Sequence, residues 1–519
     1  MQKLESYVHG TWHAGQGSQS LTDPTTGEDL AATDTAGVDF ARVVRHGREV
    51  GGPALRARTF EERGRMLKEL SAAIHEHRDE LIDLATRNGG NTRGDAKFDI
   101  DGATGTLAAY AAYSKQLGDV PYVVDGEGVQ LGRTARFWGQ HVLVPRHGVA
   151  VHVNAFNFPA WGMMEKAACS LLAGVPVIEK PATATALVAW RIARVTVESG
   201  ILPEGSFQFL AGGLGDLLDH LGPQDCVAFT GSSRTARLIR GHPAIVEHGA
   251  RVNIEADSLN AAVLAPDVDA SSDTYGLFLA NVALDMTQKA GQKCTAVRRI
   301  LVPEALLEDV KRDLAAELGR VKVGDPRERE NRMGPVAHAA QLADVRAGIA
   351  RLAEVADVVL GGADPVPAHA GGCFVAPTLL VARDARAAVL HSEEVFGPVA
   401  TLVPYSGAAG EAAELAALGG GGLVTSVYSN DADWTLDYVL AAAPWHGRVW
   451  IASDRVAEQA LPPGMVLPGM IHGGPGRAGG GEELGGLRGL AFYMQRVAVQ
   501  GFKGFLEGHL SGPRETPGR

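Results

Sequence analysis

Four short segments hold the side chains best suited to chemistry: NAFNFP at 154–159, EKPATAT at 179–185, AFTGSS at 228–233 and GQKCTA at 291–296. Cys294 offers a thiol that is nucleophilic as its thiolate, and a free thiol, with a pKa of about 8.5, is only partly ionised at neutral pH unless its surroundings help. Lys293 beside it is either a helping cation or a solvent-facing residue. Taken singly, each segment has an ordinary structural explanation. A cysteine after Gly-Gln is more often a small buried hydrophobe, Asn157 before Phe158-Pro159 a turn residue, and Glu255 a carboxylate at a strand end. His152, His242 and His248 have no metal-ligand spacing such as HExxH, and no GxSxG elbow occurs, so metal and serine-hydrolase chemistry lose support and no metal is expected. GPGRAG at 474–479 formally satisfies GxGxxG, yet Gly480 and Gly481 follow it in place of a helix, which predicts a loop, near the substrate entrance. Cys169, Cys226 and Cys373 lie in apolar stretches or turns and read as inert packing.

The elements that must position these residues follow from periodicity. Glu61 to Asn88 carries apolar residues at helical spacing with Gly89 and Gly90 as a stop, and predicts one amphipathic helix. Val129 to Pro145 mixes β-branched, aromatic and polar residues and predicts a hairpin or extended arm. From the apolar run Gly148 to Val153 onward, strands and helices alternate through VPVIEKP, a helix from Thr185 to Ser199, FQFLAG, DCVAFTG and ARVNIEA. A second cycle runs from a helix at Thr274 to Lys289, through RRILVP and a helix at Glu304 to Leu318, to GLVTSVYS and GRVWIA. Such alternation predicts mostly parallel sheets with helices on both faces. FYMQRVAVQG near the end predicts a strand with no helix partner nearby, suited to an oligomer interface.

The bulk numbers fit. A chain of 519 residues with 45% hydrophobic and 21% charged side chains can bury several cores, and its 65 glycines are nearly twice the usual share, as tight turns and close backbone approaches require. A formal net charge of −12 without a dense Lys/Arg block argues against nucleic acid or an anionic membrane as partner. No leader-like start and no long apolar run is evident, and the four cysteines are widely spaced, so a cytoplasmic protein with reduced thiols is expected.

Together, in this order and at these separations, the four segments resemble the aldehyde dehydrogenase superfamily, and EADSLN at 255–260, EEVFGPV at 393–399 and GLVTSVYS from 422 extend the resemblance over nearly the whole chain. It implies aldehyde oxidation to a carboxylic acid through a thioester on Cys294. Asn157 matches the family's oxyanion donor, acting with the Cys294 backbone N–H, and such a donor is typically worth roughly 2.7 to 4 kcal/mol. Glu255 matches the general base that activates water, a task suited to a carboxylate whose pKa is raised by partial burial. Two glycines usually follow that glutamate; here they are Asp257 and Ser258, a departure that resembles the branch serving CoA-linked aromatic degradation. Lys166 matches a lysine assigned to proton relay, and Glu165, where relatives carry an apolar residue, adds a second carboxylate or faces the surface.

For the cofactor, the resemblance implies that Lys180 and Thr183 contact the adenosine ribose, with Asn154, Phe156 and Ala182 beside them. Gly213 and the Phe229, Thr230, Gly231, Ser232 run hold the dinucleotide, and Glu394 with Phe396 hold the nicotinamide ribose. Where NAD is preferred the residue at 183 is commonly Glu; Thr183 carries no charge to repel a 2′-phosphate, which favours NADP. Ala236 replaces a frequent glycine. Arg477 either meets an acidic substrate group or is a solvated loop residue. The fold implied is α/β, with two doubly wound parallel-sheet domains and a β oligomerisation arm. Residues 1–128 with 146–255 form the nucleotide-binding domain, 256–460 the catalytic domain, and 129–145 with 488–519 the oligomerisation element of a homodimer or dimer of dimers. The branch implies a CoA thioester as substrate, 3,4-dehydroadipyl-CoA semialdehyde of aerobic benzoyl-CoA breakdown. Alternatives are the related semialdehyde of phenylacetate breakdown, a free aldehyde, CoA-acylating chemistry, a non-catalytic scaffold, and a Cys/His hydrolase, for which no histidine partner is assigned.

Overall fold

The computed structural model describes residues 2–366 and 371–510; the part of the expected oligomerisation element beyond 510 lies outside the described residues. Among them are two seven-stranded sheets, each with apolar clusters on both faces, and a separate three-stranded antiparallel sheet. The expected α/β architecture is present.

In the first sheet the order is Arg251–Glu255, Cys226–Thr230, Ala150–Val153, Val177–Lys180 and Phe207–Phe209, all parallel, then antiparallel Ser6–Val8 and Thr11–His13. The chain starts at Ala150–Val153, adds strands on one side, and then returns to the other with Cys226–Thr230. Strand order therefore reverses between these two, and such a switch point leaves a crevice at their carboxyl ends. The second sheet runs Ala356–Leu360, Thr378–Ala382, Val399–Tyr405, Val297–Pro303, Asn260–Leu264, Gly422–Tyr428 and His446–Ala452, with only the first strand antiparallel. The chain leaves one sheet at Glu255 and enters the other at Asn260, so EADSLN bridges the two.

Helix Trp161–Ala173 is buried along its length apart from Gly162. Its sequence, rich in Ala, Leu and Met, suits a helix enclosed on all sides. No side chain of its own caps it. Asp99 does so instead, accepting hydrogen bonds from the Trp161 N–H at 2.8 Å and the Ala160 N–H at 3.4 Å, which also anchors the NAFNFP turn ahead of it.

Three expectations need correction. The helix expected over Glu61 to Asn88 is two, Phe60–Glu76 and Arg78–Gly89, parted at His77 (φ −95°, ψ 11°). The arm is a hairpin of Val123–Gln130 and Phe137–Pro145, beginning ahead of Val129. Its third strand is the C-terminal Met494–Phe502, and helix Lys503–His509 follows at once, so that strand does have a helix beside it. No helix of the described residues is long and apolar enough to cross a membrane.

Candidate active site

The nucleophile candidate is placed by an unusual stretch of backbone. Lys289, Ala290 and Gly291 all take positive φ, 54°, 52° and 68°, and turn the chain from helix Asp273–Thr287 back toward strand Val297–Pro303. Only glycine fits at 291, where a Cβ would lie 2.2 Å from the Gly397 carbonyl oxygen. Arg298 holds the loop from below, donating to the carbonyls of Gly291, Lys293 and Gly397. Asn260 holds it from the side, its Nδ2 donating to the Cys294 and Ala296 carbonyls at 2.8 and 2.9 Å. Ser258 donates to Asn260 Oδ1 at 2.6 Å and accepts from the Leu423 N–H, so EADSLN and the strand from Gly422 position the cysteine together. Ser258 thus has a structural task.

Around the sulfur the residues singled out in sequence converge. Asn157 Nδ2 donates to the Gln292 carbonyl at 3.0 Å, two residues before Cys294. Glu255 ends its strand buried, and its Oε2 lies 3.1 Å from His472 Nε2. That histidine, in strand Ile471–Gly473, also stands 3.7 Å from Cys294 Sγ. Burial alone would raise the Glu255 carboxyl, yet the charge and hydrogen bond of His472, with Lys166 behind, hold it down to about 2. The expectation of a raised Glu255 pKa is therefore reversed, because an imidazole faces it. The Cys294 thiol is pushed up, by burial first and then by the neighbouring Glu255. Lys293 gives it no help. Its ammonium is buried and bound to Asp285 at 2.7 Å and Gln288 at 2.9 Å, so it is neither a solvent-facing residue nor a partner of the sulfur.

Glu165 and Lys166 are both buried on helix Trp161–Ala173, which removes the surface reading of Glu165. Lys166 Nζ lies 3.4 Å from Glu165 and 3.2 Å from Glu483. Burial pushes the Glu165 carboxyl up to about 7 against the pull of Lys166, and the three carboxylates Glu483, Glu165 and Glu255 keep Lys166 protonated despite its burial. His472 and Glu483 are the site residues that sequence reasoning missed. Both belong to the segment that had yielded only Arg477, and their contacts span the length of the chain.

Two cavities meet at Cys294, sharing the wall of Ala155, Asn157, Thr230, Glu255 and the cysteine itself. One, of about 40 Å³, is narrow and bounded by the edge-to-face rings of Phe98, Phe158 and Trp161, with Glu165, Lys166 and His472 beside them. The other is a cleft of about 680 Å³ at the switch point of the first sheet. Asn154, Phe156, Lys180, Ala182, Phe229 to Ser232, Glu394 and Phe396 line it, whereas Thr183 and Gly213 do not. Thr183 opens the short turn Thr183–Thr185 just past Ala182, and Gly213 is tied through its carbonyl to Thr35 Oγ1 at 3.0 Å.

Ser232 caps helix Ser233–Arg240 by accepting from the Thr235 N–H, Asp257 accepts from the Ser233 N–H at 2.9 Å, and this helix start lines the cleft. Asn154 Oδ1 and Thr230 Oγ1 are buried with no hydrogen-bond partner among the described residues, as expected of groups that await a polar ligand. Burial pushes the Glu394 carboxyl up to about 7 although Arg298 opposes it. Arg477 also faces this cleft, its guanidinium donating to the His391 and Ser392 carbonyls just before Glu394. It supports that loop, and Gly479 and Gly481 pack on the Ile254 carbonyl, which folds this part of the segment against the first sheet. Cys169 and Cys226 are buried, which pushes their thiols up to about 12, and Cys373 is partly buried against the second sheet's core.

The family profile described as "Aldehyde dehydrogenase family" matches residues 12–499. The chain belongs to the aldehyde dehydrogenase family. It is 45% identical, over 91% of its length and 93% of the relative's, to a 3,4-dehydroadipyl-CoA semialdehyde dehydrogenase of Aromatoleum evansii. It is 30% identical to a phenylacetaldehyde dehydrogenase of Pseudomonas fluorescens, covering 92% and 93% of the two chains. Among solved structures, betaine aldehyde dehydrogenase from Staphylococcus aureus in complex with NAD+ superimposes with a TM-score of 0.84 at 23% identity, covering 96% of this chain and 95% of that one. This aldehyde dehydrogenase thus has the family's fold throughout, and a cleft whose open volume and unpartnered polar atoms fit a nicotinamide dinucleotide.

Proposed function

We propose that this aldehyde dehydrogenase oxidises 3,4-dehydroadipyl-CoA semialdehyde to the corresponding acid with NADP. The observation that carries the substrate is the 45% identity, over nearly the whole of both chains, to a relative bearing that name. The narrow cavity agrees with it. A slot of about 40 Å³ walled by three aromatic rings suits the slender end of an acyl chain, with the bulk of a CoA carrier left outside.

In this reading the Cys294 thiol releases its proton to solvent, its Sγ attacks the aldehyde carbon, and Asn157 Nδ2 with the Cys294 N–H donates to the developing oxyanion. Lys180, the Phe229 to Ser232 run and Glu394 would hold a nicotinamide dinucleotide in the large cleft, where it would supply the hydride acceptor. Glu255 then activates water against the thioester, while Lys166, Glu165 and Glu483 form a buried route by which a proton can leave. The same reading takes 1–128 with 146–255 as the nucleotide-binding domain and 256–460 as the catalytic one. Steady-state rates with this semialdehyde, with the phenylacetate-pathway semialdehyde and with short free aldehydes test the substrate. A strong preference for free aldehydes would remove the CoA proposal.

NADP preference rests on the uncharged Thr183, one residue beyond the lined cleft. Thr183→Glu brings a carboxylate toward the 2′-phosphate and is expected to reverse the NADP to NAD ratio of kcat/KM by at least tenfold; an unchanged ratio would count against the assignment. The three-stranded sheet is proposed as the interface of a homodimer or dimer of dimers. Phe502 is 64% exposed, with Phe137 and Val129 also uncovered on the same sheet, a surface that a second copy would bury. Phe502→Glu is expected to lower the sedimenting mass, whereas a single unchanged species in both proteins would refute the interface.

A further inference from the structure

No sequence spacing announces a metal site, but folding brings a thiol, an imidazole and a carboxylate together at the reacting centre. We propose that Cys294, Glu255 and His472 form a reversible site for Zn²⁺ or a similar borderline-soft divalent cation, which switches the dehydrogenase off by occupying its nucleophile.

The distances carry the proposal. In a tetrahedral zinc site with ordinary bond lengths, sulfur and imidazole nitrogen lie about 3.6 Å apart and nitrogen and carboxylate oxygen about 3.4 Å. Here Cys294 Sγ and His472 Nε2 are 3.7 Å apart, and His472 Nε2 and Glu255 Oε2 are 3.1 Å apart. The remaining edge, sulfur to a Glu255 oxygen, is no longer than 4.8 Å. The ligand chemistry agrees, since thiolate, imidazole and carboxylate are the donors that zinc takes.

A further observation points to a ligand. Glu255 Oε1 is buried and has no hydrogen-bond partner among the described residues, so the carboxylate has a lone pair to give. The charges also close: thiolate and carboxylate bring two negative charges, the imidazole is neutral, and a divalent cation leaves the buried cluster without net charge. On coordination the sulfur gives up its proton to solvent and one further proton leaves the imidazole. Lys166 and Arg448 are the cations that act on this cluster, and Glu165 and Glu483 face Lys166.

The site is built for exchange. Among the described residues three protein ligands converge, which leaves the fourth position to water or an incoming carbonyl, and His472 Nδ1 has no partner there of the kind that locks resident zinc ligands in place. Metal and aldehyde therefore compete for the same sulfur. The binding itself is independent of which aldehyde is oxidised.

The test uses the full-length protein titrated with Zn²⁺ against a chromophoric chelator, and with Co²⁺ for its optical spectrum. Wild type is expected to bind one ion that Cys294→Ser lacks, with a thiolate-to-cobalt charge-transfer band that the same variant loses. His472→Phe is expected to weaken binding at least tenfold. Equimolar Zn²⁺ is expected to slow alkylation of Cys294 by iodoacetamide at least tenfold while leaving Cys373 unaffected, and a chelator to restore the rate. Equal binding by wild type and Cys294→Ser, or alkylation of Cys294 that zinc does not slow, would overturn the proposal. If His472→Phe does not fold, His472→Gln takes its place, and the wild-type alkylation result decides without any variant.

Discussion

Cys294→Ala is expected to abolish nicotinamide reduction with every aldehyde, a loss on the order of 10⁶-fold, as when other enzymes lose their nucleophile. No neighbour can substitute. Thr295 Oγ1 is committed to the Gly464 carbonyl at 2.8 Å, and Cys169 is buried elsewhere with its thiol pushed up to about 12. The variant should keep its fold, because the turn is held by main-chain carbonyls through Asn260 and Arg298 rather than by the sulfur. Dinucleotide binding followed by fluorescence, together with far-ultraviolet circular dichroism, separates loss of chemistry from loss of structure. Substantial residual turnover in a folded variant, or the absence of an acyl adduct on wild-type Cys294 by mass spectrometry, would end the thioester account.

Glu255→Gln carries the second large effect. Acylation needs the thiolate and the oxyanion donors, whereas release of the acid needs a base, so the variant is expected to form one reduced nicotinamide per site and then stall. Its steady-state rate should fall by about 10² to 10⁴-fold, the usual worth of a general base, with the acyl group accumulating on Cys294. A variant slowed equally in the first turnover and in steady state would instead place Glu255 in the attack step.

The pH dependence follows from His472. A carboxyl held down to about 2 is ionised at all working pH values, and its function would be lost only as pH falls through that value. Wild type should therefore show no acid limb from Glu255 between about pH 5 and 9. In His472→Phe, burial dominates and raises the carboxyl, so an acid limb is expected to enter that window. Superimposable kcat profiles would show that the histidine does not hold Glu255 in its ionised state.

Much of this was legible in the sequence because the relevant signals are local. NAFNFP, AFTGSS and GQKCTA each sit at a strand end or turn, and the alternation of apolar runs carries the two parallel sheets. What escaped depends on contacts between distant segments. His472 meets Cys294 across 178 positions, with no spacing rule to reveal it. Lys293 adjoins Cys294 in sequence, but the left-handed turn before them lets it reach back to Asp285, so adjacency misled. The break at His77 has no glycine or proline to mark it. Its imidazole lies 3.0 Å from Glu80 and within reach of Arg191 from another helix, and that packing is invisible to periodicity.

The wall shared by the two cavities has a pharmacological corollary. A compound filling the aromatic slot and another filling the dinucleotide cleft abut only through Ala155, Asn157, Thr230, Glu255 and Cys294, so neither needs to displace the other. Because both would touch the same five residues, inhibitors of the two kinds should be coupled in binding energy rather than independent. A tethered pair spanning that partition would have to pass its linker beside the sulfur, where an electrophile on the linker would be captured.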